Sequence, residues 1–427
     1  MTPPETEPPS QTDIAVVGGG LVGPALALAL ARLGLRVVLV DRLAEPVRRD
    51  PAFDGRAYAV ALGSSRVLAA LGLWSELEPL AQPIADIRVS EGQPGAYPGA
   101  ALHFDPRASD EGRVGWILED RFLRRALLEA VAAEEGITHR APAEVLAADL
   151  EGPAARLTLS DGQVIAAPLA VGADGRRSPL GAMAGIGRQV LRYDQVGLVA
   201  SIEHEGDHGG VARQSFFPGG PFAVLPLPGG HRSSLVWSER TRAAEGLMRL
   251  DDAAYTKALQ ARIGTGFGPG LSSGLSSGLG KITLAGPRRS HPLDLSLADS
   301  YVGPRVVLVG DAAHGVHPIA GQGFNLGLRD VAALTEVLTE GARAGRDLGE
   351  PALLQDYERW RRFDNVSFAL GMDALNRLFS NANPLARALR GLGLGLVDRC
   401  PPATRFFMRE ATGMSGQTPA MMRGELP

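Results

Sequence analysis

Between Ile14 and Ala31 the chain carries eighteen residues without a charge, and three consecutive glycines, Gly18 to Gly20, cut that run near its start. Taken alone, an uncharged stretch of this length approaches what a membrane span needs. The glycines argue against a span. They follow a four-residue apolar run, and Pro24 sits where the first turn of a helix begins. The pattern predicts a buried strand at Ile14–Val17, a tight turn over Gly18–Gly23, a helix over Pro24–Gly34 and a second strand at Val37–Val40. Strand, crossover helix and strand make a parallel unit, so the chain reads as α/β.

The turn matches G-x-G-x-x-G through Gly18, Gly20 and Gly23. Gly18 is expected to make the turn, Gly20 to let backbone approach a pyrophosphate, and Gly23 to let the helix sit close on the strand. The helix N-terminus then offers unpaired N–H groups to phosphate. The second strand ends in Asp41, eighteen residues after Gly23, placed to accept hydrogen bonds from a ribose; Arg42 next to it faces an adenine or a phosphate. Glycines, helix, strand and terminal acid in register predict a dinucleotide site.

Two further strands end in acids. Asp174 follows the apolar stretch Leu169–Val171, and Asp311 follows Val306–Val309. After Asp311 comes His-Pro-Ile-Ala-Gly-Gln-Gly-Phe-Asn, which opens a helix. An acid at a strand end beside a glycine-rich helix start suits the ribityl hydroxyls of a flavin, and the helix N-terminus near Gly321, Gln322, Gly323, Phe324 and Asn325 suits negative charge on the flavin's pyrimidine edge.

These segments carry a resemblance. GGGLVG, Asp54-Gly-Arg-Ala-Tyr-Ala-Val, GADGRRS and GDAAHGVHPIAGQGFNLGLRDVAAL together resemble the FAD-dependent aromatic hydroxylases of the para-hydroxybenzoate hydroxylase type, closest to the subfamily that hydroxylates polyprenylated phenols in ubiquinone biosynthesis. The ending Gly413-Met-Ser-Gly with Arg423-Gly resembles that subfamily too, so the likeness runs from about Asp13 to Gly424. It implies a GR2-type Rossmann-like FAD-binding domain interleaved with a β-sheet substrate domain and followed by a C-terminal helical region. For single residues it implies a pyrophosphate and flavin contact at Arg56, FAD and NAD(P)H phosphate proximity at Asp174, a ribityl contact at Asp311, and backbone contacts to the isoalloxazine from Gly321 to Asn325. A family contact on the helix after the third strand falls best on Asp120, which is not a usual residue there, so the contact is expected from Arg121. Where the family often has a basic residue after GADGRRS, this chain has Gly181. The implied chemistry is hydroxylation of a phenol ring by oxygen through a flavin C4a-hydroperoxide, with NADH, NADPH or a ferredoxin left open as donor. No protein nucleophile, no metal and no identified phenol base are expected.

With 427 residues the chain suits two interleaved domains and an appendage. The cofactor domain is expected over 13–80, 100–185 and 285–345, a substrate-binding sheet over 81–99 and 186–284, and helices over 346–427, after a disordered, Pro-rich tail at 1–12. Period-two patches at Gln195–Glu203, Arg213–Phe217 and Ser233–Ser238 mark strands of the sheet. The run from Phe216 to Pro228 reads equally as the wall of an aromatic-substrate pocket or as a sheet core. From Leu353 onward leucines recur at helical spacing, among them Leu375, Leu378, Leu385, Leu389, Leu392 and Leu396, with arginines between. That reads as a helical cover or as a face for a membrane surface or a biosynthetic complex. A net charge of −4, from 43 basic and 47 acidic residues, gives no reason to expect nucleic acid. One cysteine, Cys400, permits no internal disulfide and suits a reducing compartment. With no basic leader in the first twelve residues, the expected place is the cytoplasm, peripheral at the inner face of the membrane in the membrane-bound reading.

His204-Glu-Gly-Asp-His208 matches the H-E-x-x-H zinc motif in letters only, because Gly206, Gly209 and Gly210 deny it a helix; a solvated hairpin loop is expected. Ser272 and Ser276 match G-x-S-x-G inside a Gly/Ser tract with neither strand nor helix, so no nucleophile elbow is expected. His314 and His317 are expected to be polar neighbours of the flavin loop. Three readings remain open: a polyprenyl-phenol hydroxylase, a flavin-dependent isoprenoid reductase, and an FAD-binding subunit of a biosynthetic complex without turnover.

Overall fold

The computed structural model describes residues 12–52, 54–92, 101–106, 111–266, 279–380 and 409–427. Residues 1–11 of the expected tail, the Ser272 and Ser276 tract, Cys400 and the leucines from Leu385 to Leu396 lie outside them. Thr12, the last residue assigned to that tail, is buried.

The uncharged run folds as strand, turn and helix. Ile14–Val17 and Val37–Val40 are strands in parallel register, Ile14 opposite Val37 and Val17 opposite Val40, joined through the Val22–Ala31 helix. The helix begins two residues before the expected start and ends three residues sooner. Leu169–Gly172 pairs on the other side of Ile14–Val17, and Val306–Leu308 pairs beyond that, both parallel. With Ile137–Arg140 and the short antiparallel Val302–Gly303, they complete a six-stranded sheet. Its four central strands, Val306–Leu308, Leu169–Gly172, Ile14–Val17 and Val37–Val40, are buried apolar runs, as a sheet covered on both faces requires. The Val22–Ala31 and Gly323–Arg343 helices pack together over it. The topology brings the carboxyl ends at Val17, Val40, Gly172 and Leu308 to one edge. Main-chain bonds carry on there: Gly18 N donates to Val40 O at 2.8 Å and Ala173 N to Val17 O at 2.8 Å.

A second, nine-stranded sheet is built around the long Arg188–His204 strand, which pairs with Arg232–Arg240 on one side and Arg289–Ala298 on the other. The expected period-two patches fall inside Arg188–His204, Val211–Phe217 and Arg232–Arg240. This sheet also takes in Ala101–Phe104 and Arg289–Ala298, which were assigned to the cofactor domain. The difference has a plain cause: both strands form ladder hydrogen bonds with this nine-stranded sheet, and pairing, not chain order, decides which layer a strand joins. Pro351–Phe379 is one long helix from the expected helical region, laid along both sheets. Among the described residues no helix is long and apolar enough to cross a membrane.

Candidate functional site

The glycine turn works by exclusion at three positions and by opening at one. A Cβ on Gly18, which sits at φ +118°, would strike the Ala173 carbonyl, and one on Gly23 would strike the Gly18 carbonyl. One on Gly19 would strike the Asp41 carboxylate, a role the sequence pattern does not single out. At Gly20 a Cβ would meet nothing within 4 Å. Gly20 therefore presents bare backbone to open space, beside a helix start with no side-chain cap.

That space is a cavity of about 830 Å³ bordered at one end by Gly20, Asp311, Gly321, Gln322, Gly323 and Phe324. The Gly323–Arg343 helix points a second uncapped N-terminus at it. Asn325 does not spend its side chain there: its Oδ1 accepts from Ala61 N at 3.0 Å and its Nδ2 donates to Ala59 O at 2.8 Å, tying the helix start to the Ala57–Ala61 strand. Gly321 makes the bend before the helix at φ +61°. The Phe324 ring rests on Tyr58, centroids 5.2 Å apart.

Asp311 follows its strand on a short turn and holds Arg176 through Nε at 3.2 Å. Arg176 also donates to the Asp294 carboxylate (2.8 Å) and to Val316 O (2.7 Å), so one guanidinium joins GADGRRS to the loop after Asp311. Sequence reasoning missed Arg176, although it stands inside a quoted motif. Asp174 accepts from Leu180 N at 2.9 Å through Oδ2, while its Oδ1 is buried with no partner. Burial raises the Asp174 carboxyl above its ordinary value. Gly181 is closely packed, since a Cβ there would lie 2.9 Å from Ser178 Oγ and 3.2 Å from Leu308.

Behind Asp311 lies a buried charge cluster. Asp330 accepts from Gly310 N (3.0 Å), His314 Nε2, Arg361 Nε (2.9 Å) and Asn365 Nδ2 (3.1 Å). Burial opposes its charge, but His314 and Arg361 outweigh that and hold the carboxyl well below the usual carboxylate range. His317 is buried against Tyr193 (centroids 5.2 Å), and neither ring nitrogen has a partner. Burial, aided by Arg176, pushes it down to about 4, so it is neutral near pH 7.

The other predicted residues form a separate group along the edge. Asp41 is buried and held bidentately by Arg48, at 2.6 and 3.0 Å; Arg42 is exposed. Arg56 donates to Asp54 (2.8 Å) and Asp120 (3.1 Å), and Arg124 also donates to Asp120. The unusual Asp120 is thus the anchor of two arginines. Arg121 does not join them: it turns to Glu119 (2.7 Å) and to Pro51 O (3.2 Å), because its place on the Asp120–Ala133 helix points it away from Asp120's partners.

His204 ends a strand and His208 lies in the following loop. His204 engages Gly206 O and Ser233 Oγ, and His208 engages Leu227 O and Gly210 N, so all four ring nitrogens are occupied. Both rings are buried rather than solvated, a correction to the expected loop; Gly206 and Gly210 of the loop, with Leu227 and Ser233 of neighbouring strands, satisfy their nitrogens there. Among the described residues no group of three or more ligands gathers as for a metal.

The far end of the cavity is apolar. Ile87, Val89, Ala212, Phe216, Ala223 and Leu225 come from the nine-stranded sheet, faced by Phe368, Met372 and Leu375 of the long helix. The run from Phe216 divides between opposite pleats. Phe216 and Leu225 face the cavity, whereas Phe217, Phe222 and Val224 pack in the core behind.

These residues fit FAD: an open glycine, two uncapped helix N-termini, an orphaned carboxylate oxygen at Asp174 and an accessible carboxylate at Asp311 suit its phosphates, flavin edge and hydroxyls. A family model for the FAD binding domain matches residues 11–364. The chain is 45% identical over 417 residues to ubiquinone hydroxylase UbiL of Rhodospirillum rubrum, covering 96% of this chain and 92% of that one. It is 36% identical over 408 residues to 3-demethoxyubiquinol 3-hydroxylase of Escherichia coli, covering 94% and 99%. Among solved structures, p-nitrophenol 4-monooxygenase PnpA from Pseudomonas putida superposes with a TM-score of 0.76 at 19% identity over 95% of this chain and 99% of that one, and shares the fold.

Proposed function

The chain belongs to the FAD-binding-domain family that holds these hydroxylases, and on that premise we propose that it is an FAD-dependent monooxygenase hydroxylating the aromatic ring of a polyprenylated phenol in ubiquinone biosynthesis. The observation that carries the reading is one continuous cavity, backbone-rich and charged at the Gly20 and Asp311 end, apolar between the nine-stranded sheet and the long helix. Bound FAD would supply the redox chemistry, the acceptance of hydride from NAD(P)H and the activation of oxygen toward the ring. The protein's part is to place and to exclude. Gly20 and the Val22–Ala31 N-terminus receive the pyrophosphate; Gly18 and Gly23 keep that turn closed. Asp41, Arg42, Arg56 and Arg121 lie on the nucleotide side, with Asp174 near the phosphates and Asp311 accepting from a ribityl hydroxyl. The N–H groups from Gly321 to Asn325 favour negative charge on the flavin edge. Phe216 packs on Phe379, centroids 4.4 Å apart, and the pair helps keep water from the apolar end.

The same proposal extends to a peripheral membrane contact. Phe363, Leu370 and Leu378 are 77%, 53% and 38% exposed along the long helix, with Arg359, Arg362 and Arg377 exposed beside them. Leu378 also borders the cavity, which suits entry of a prenyl tail from a lipid surface.

Aerobic oxidation of NAD(P)H by the FAD-loaded protein, with and without a short-chain prenylated phenol, tests the reading. The expected result is phenol-stimulated oxidation and a product gaining one oxygen. A product gaining two hydrogens without oxygen favours the reductase, and cofactor binding without turnover favours the assembly subunit.

A further inference from the structure

On the cavity face of the nine-stranded sheet, one row of neighbouring strands reads Val89, Gln214, Ala223 and Val236. Gln214 lies opposite Val89 on one side and Ala223 on the other, and Ala223 lies opposite Val236. All four border the cavity, as do Ala212 and Phe216 on the same pleat. Gln214 is half-buried, and its carboxamide makes no hydrogen bond to any described residue. The other polar side chains at the cavity are engaged elsewhere, save the Nε2 of Gln322, which lies at the opposite, glycine-rich end. Tyr58 bonds Asp120, Arg176 holds Asp311 and Asp294, and Gln322 accepts from Asn325. Arg213 shares the opposite pleat with Arg88 and donates to Val211 O, and Glu410 has Arg329 as its electrostatic partner. A carboxamide on an apolar wall must bond whatever fills the cavity, because an unpaired amide shut away from water is costly. Its neighbours Ala212 and Ala223 are small, which leaves room for a flat ring against it.

We propose that Gln214 is a specificity-determining residue that hydrogen-bonds an oxygen substituent of the aromatic ring and so sets which ring carbon is presented for hydroxylation. This rests on the prenylated-phenol reading. A prenylated phenol is apolar except for its ring oxygens, so a single donor–acceptor group on an otherwise greasy wall is enough to define the ring's rotation. The amide can donate to a phenolate or a methoxy oxygen and accept from a hydroxyl.

The test compares a farnesylated phenol with the matching farnesylbenzene, which lacks the ring oxygen, by titrating the FAD-loaded protein and following the flavin absorbance. The wild type should prefer the phenol. Gln214→Leu and Gln214→Met should lose roughly 3- to 10-fold of that preference while binding farnesylbenzene as well as before, with FAD content and circular dichroism unchanged. Turnover of the phenol by either variant should give more than one hydroxylation position. Wild-type preference retained in both variants, with a single product, overturns the assignment alone. Equal wild-type binding of the two ligands, with the phenol still hydroxylated, also overturns the assignment alone, and failure of the wild type to bind or hydroxylate the phenol overturns it together with the parent reading.

Discussion

Along the carboxyl edge of the six-stranded sheet, Asp41, Asp120, Asp311 and Asp330 each already hold an arginine, while the cavity face of the nine-stranded sheet is an apolar surface relieved by one carboxamide. The first region is held together by the chain's own ion pairs. Its geometry is fixed by backbone that only glycine permits and by charges that cannot be left unpaired. The second asks only for apolar bulk of the right shape, which many side chains can supply. On the function proposed, a polar cofactor and a greasy substrate leave different marks on one molecule.

The comparison breaks first at the buried charges. Arg361→Met strands Asp330 beside His314 in a site with no access to water, and breaking such a pair typically costs about 3–5 kcal/mol. Denaturant unfolding of the FAD-loaded protein should show that loss; a change below about 1 kcal/mol would mean the edge does not depend on its ion pairs.

Next comes the place where the two regions meet. His317 lies under the cavity loop, with Arg176 and Asp373 as its charged neighbours. Its folded value, about 4, is below the ordinary 6.5, so the unfolded chain binds the proton first as pH falls. Stability is therefore fully present above about 6.5 and is lost as pH falls toward about 4, by roughly 1.4 kcal/mol per unit at most. Burial lowers His204 and His208 as well, so the slope belongs to His317 only in part. His317→Gln should flatten stability between pH 6.5 and 4 relative to the parent; an unchanged slope would remove His317 from the account.

Asp311→Ala sharpens the contrast at the cofactor. Hydrogen bonds to charged groups contribute roughly 1.5–3 kcal/mol, so FAD affinity should fall by about 10- to 150-fold with the apo-protein still folded. Asp161, exposed in a turn where it caps Gln163 N at 3.0 Å, is the control, and its alanine variant should shift FAD affinity by less than about 0.5 kcal/mol. Fluorescence quenching of FAD titrated into both apo-variants gives the comparison, and equal affinities would sink the ribityl contact.

Leu225→Ala belongs to the other wall. Phenol binding should weaken by about 1–3 kcal/mol, and FAD affinity should stay within about 0.5 kcal/mol. Isothermal titration of both ligands checks it, and a variant that loses FAD as readily as phenol would show the two regions are one.

Much of the cofactor edge could be read from residues alone. Ile14–Val17 and Val37–Val40 appear at the expected boundaries, and a Cβ at Gly18 or Gly23 would strike a backbone carbonyl, because a turn that tight excludes a side chain there, whereas Gly20 faces open space. Arg176 was hidden in plain view. Its importance comes from reaching Asp294 and Val316, more than a hundred residues away. Arg121 shows how little adjacency says: it stands next to Asp120 yet bonds Glu119 and Pro51 O, because neighbours on a helix point in different directions.

What the sequence by itself determined is the βαβ unit, the acids at strand ends and the likeness that named a flavin enzyme, all of which are local in the chain and tied to backbone conformation. Only the tertiary structure decided that Ala101–Phe104 and Arg289–Ala298 pair with the nine-stranded sheet, that Asp120 gathers two arginines, and that Gln214 faces the cavity. Strand partners and pocket walls are chosen among segments far apart in sequence. Period-two patterning says that a strand has two faces; it does not say which neighbour either face will meet.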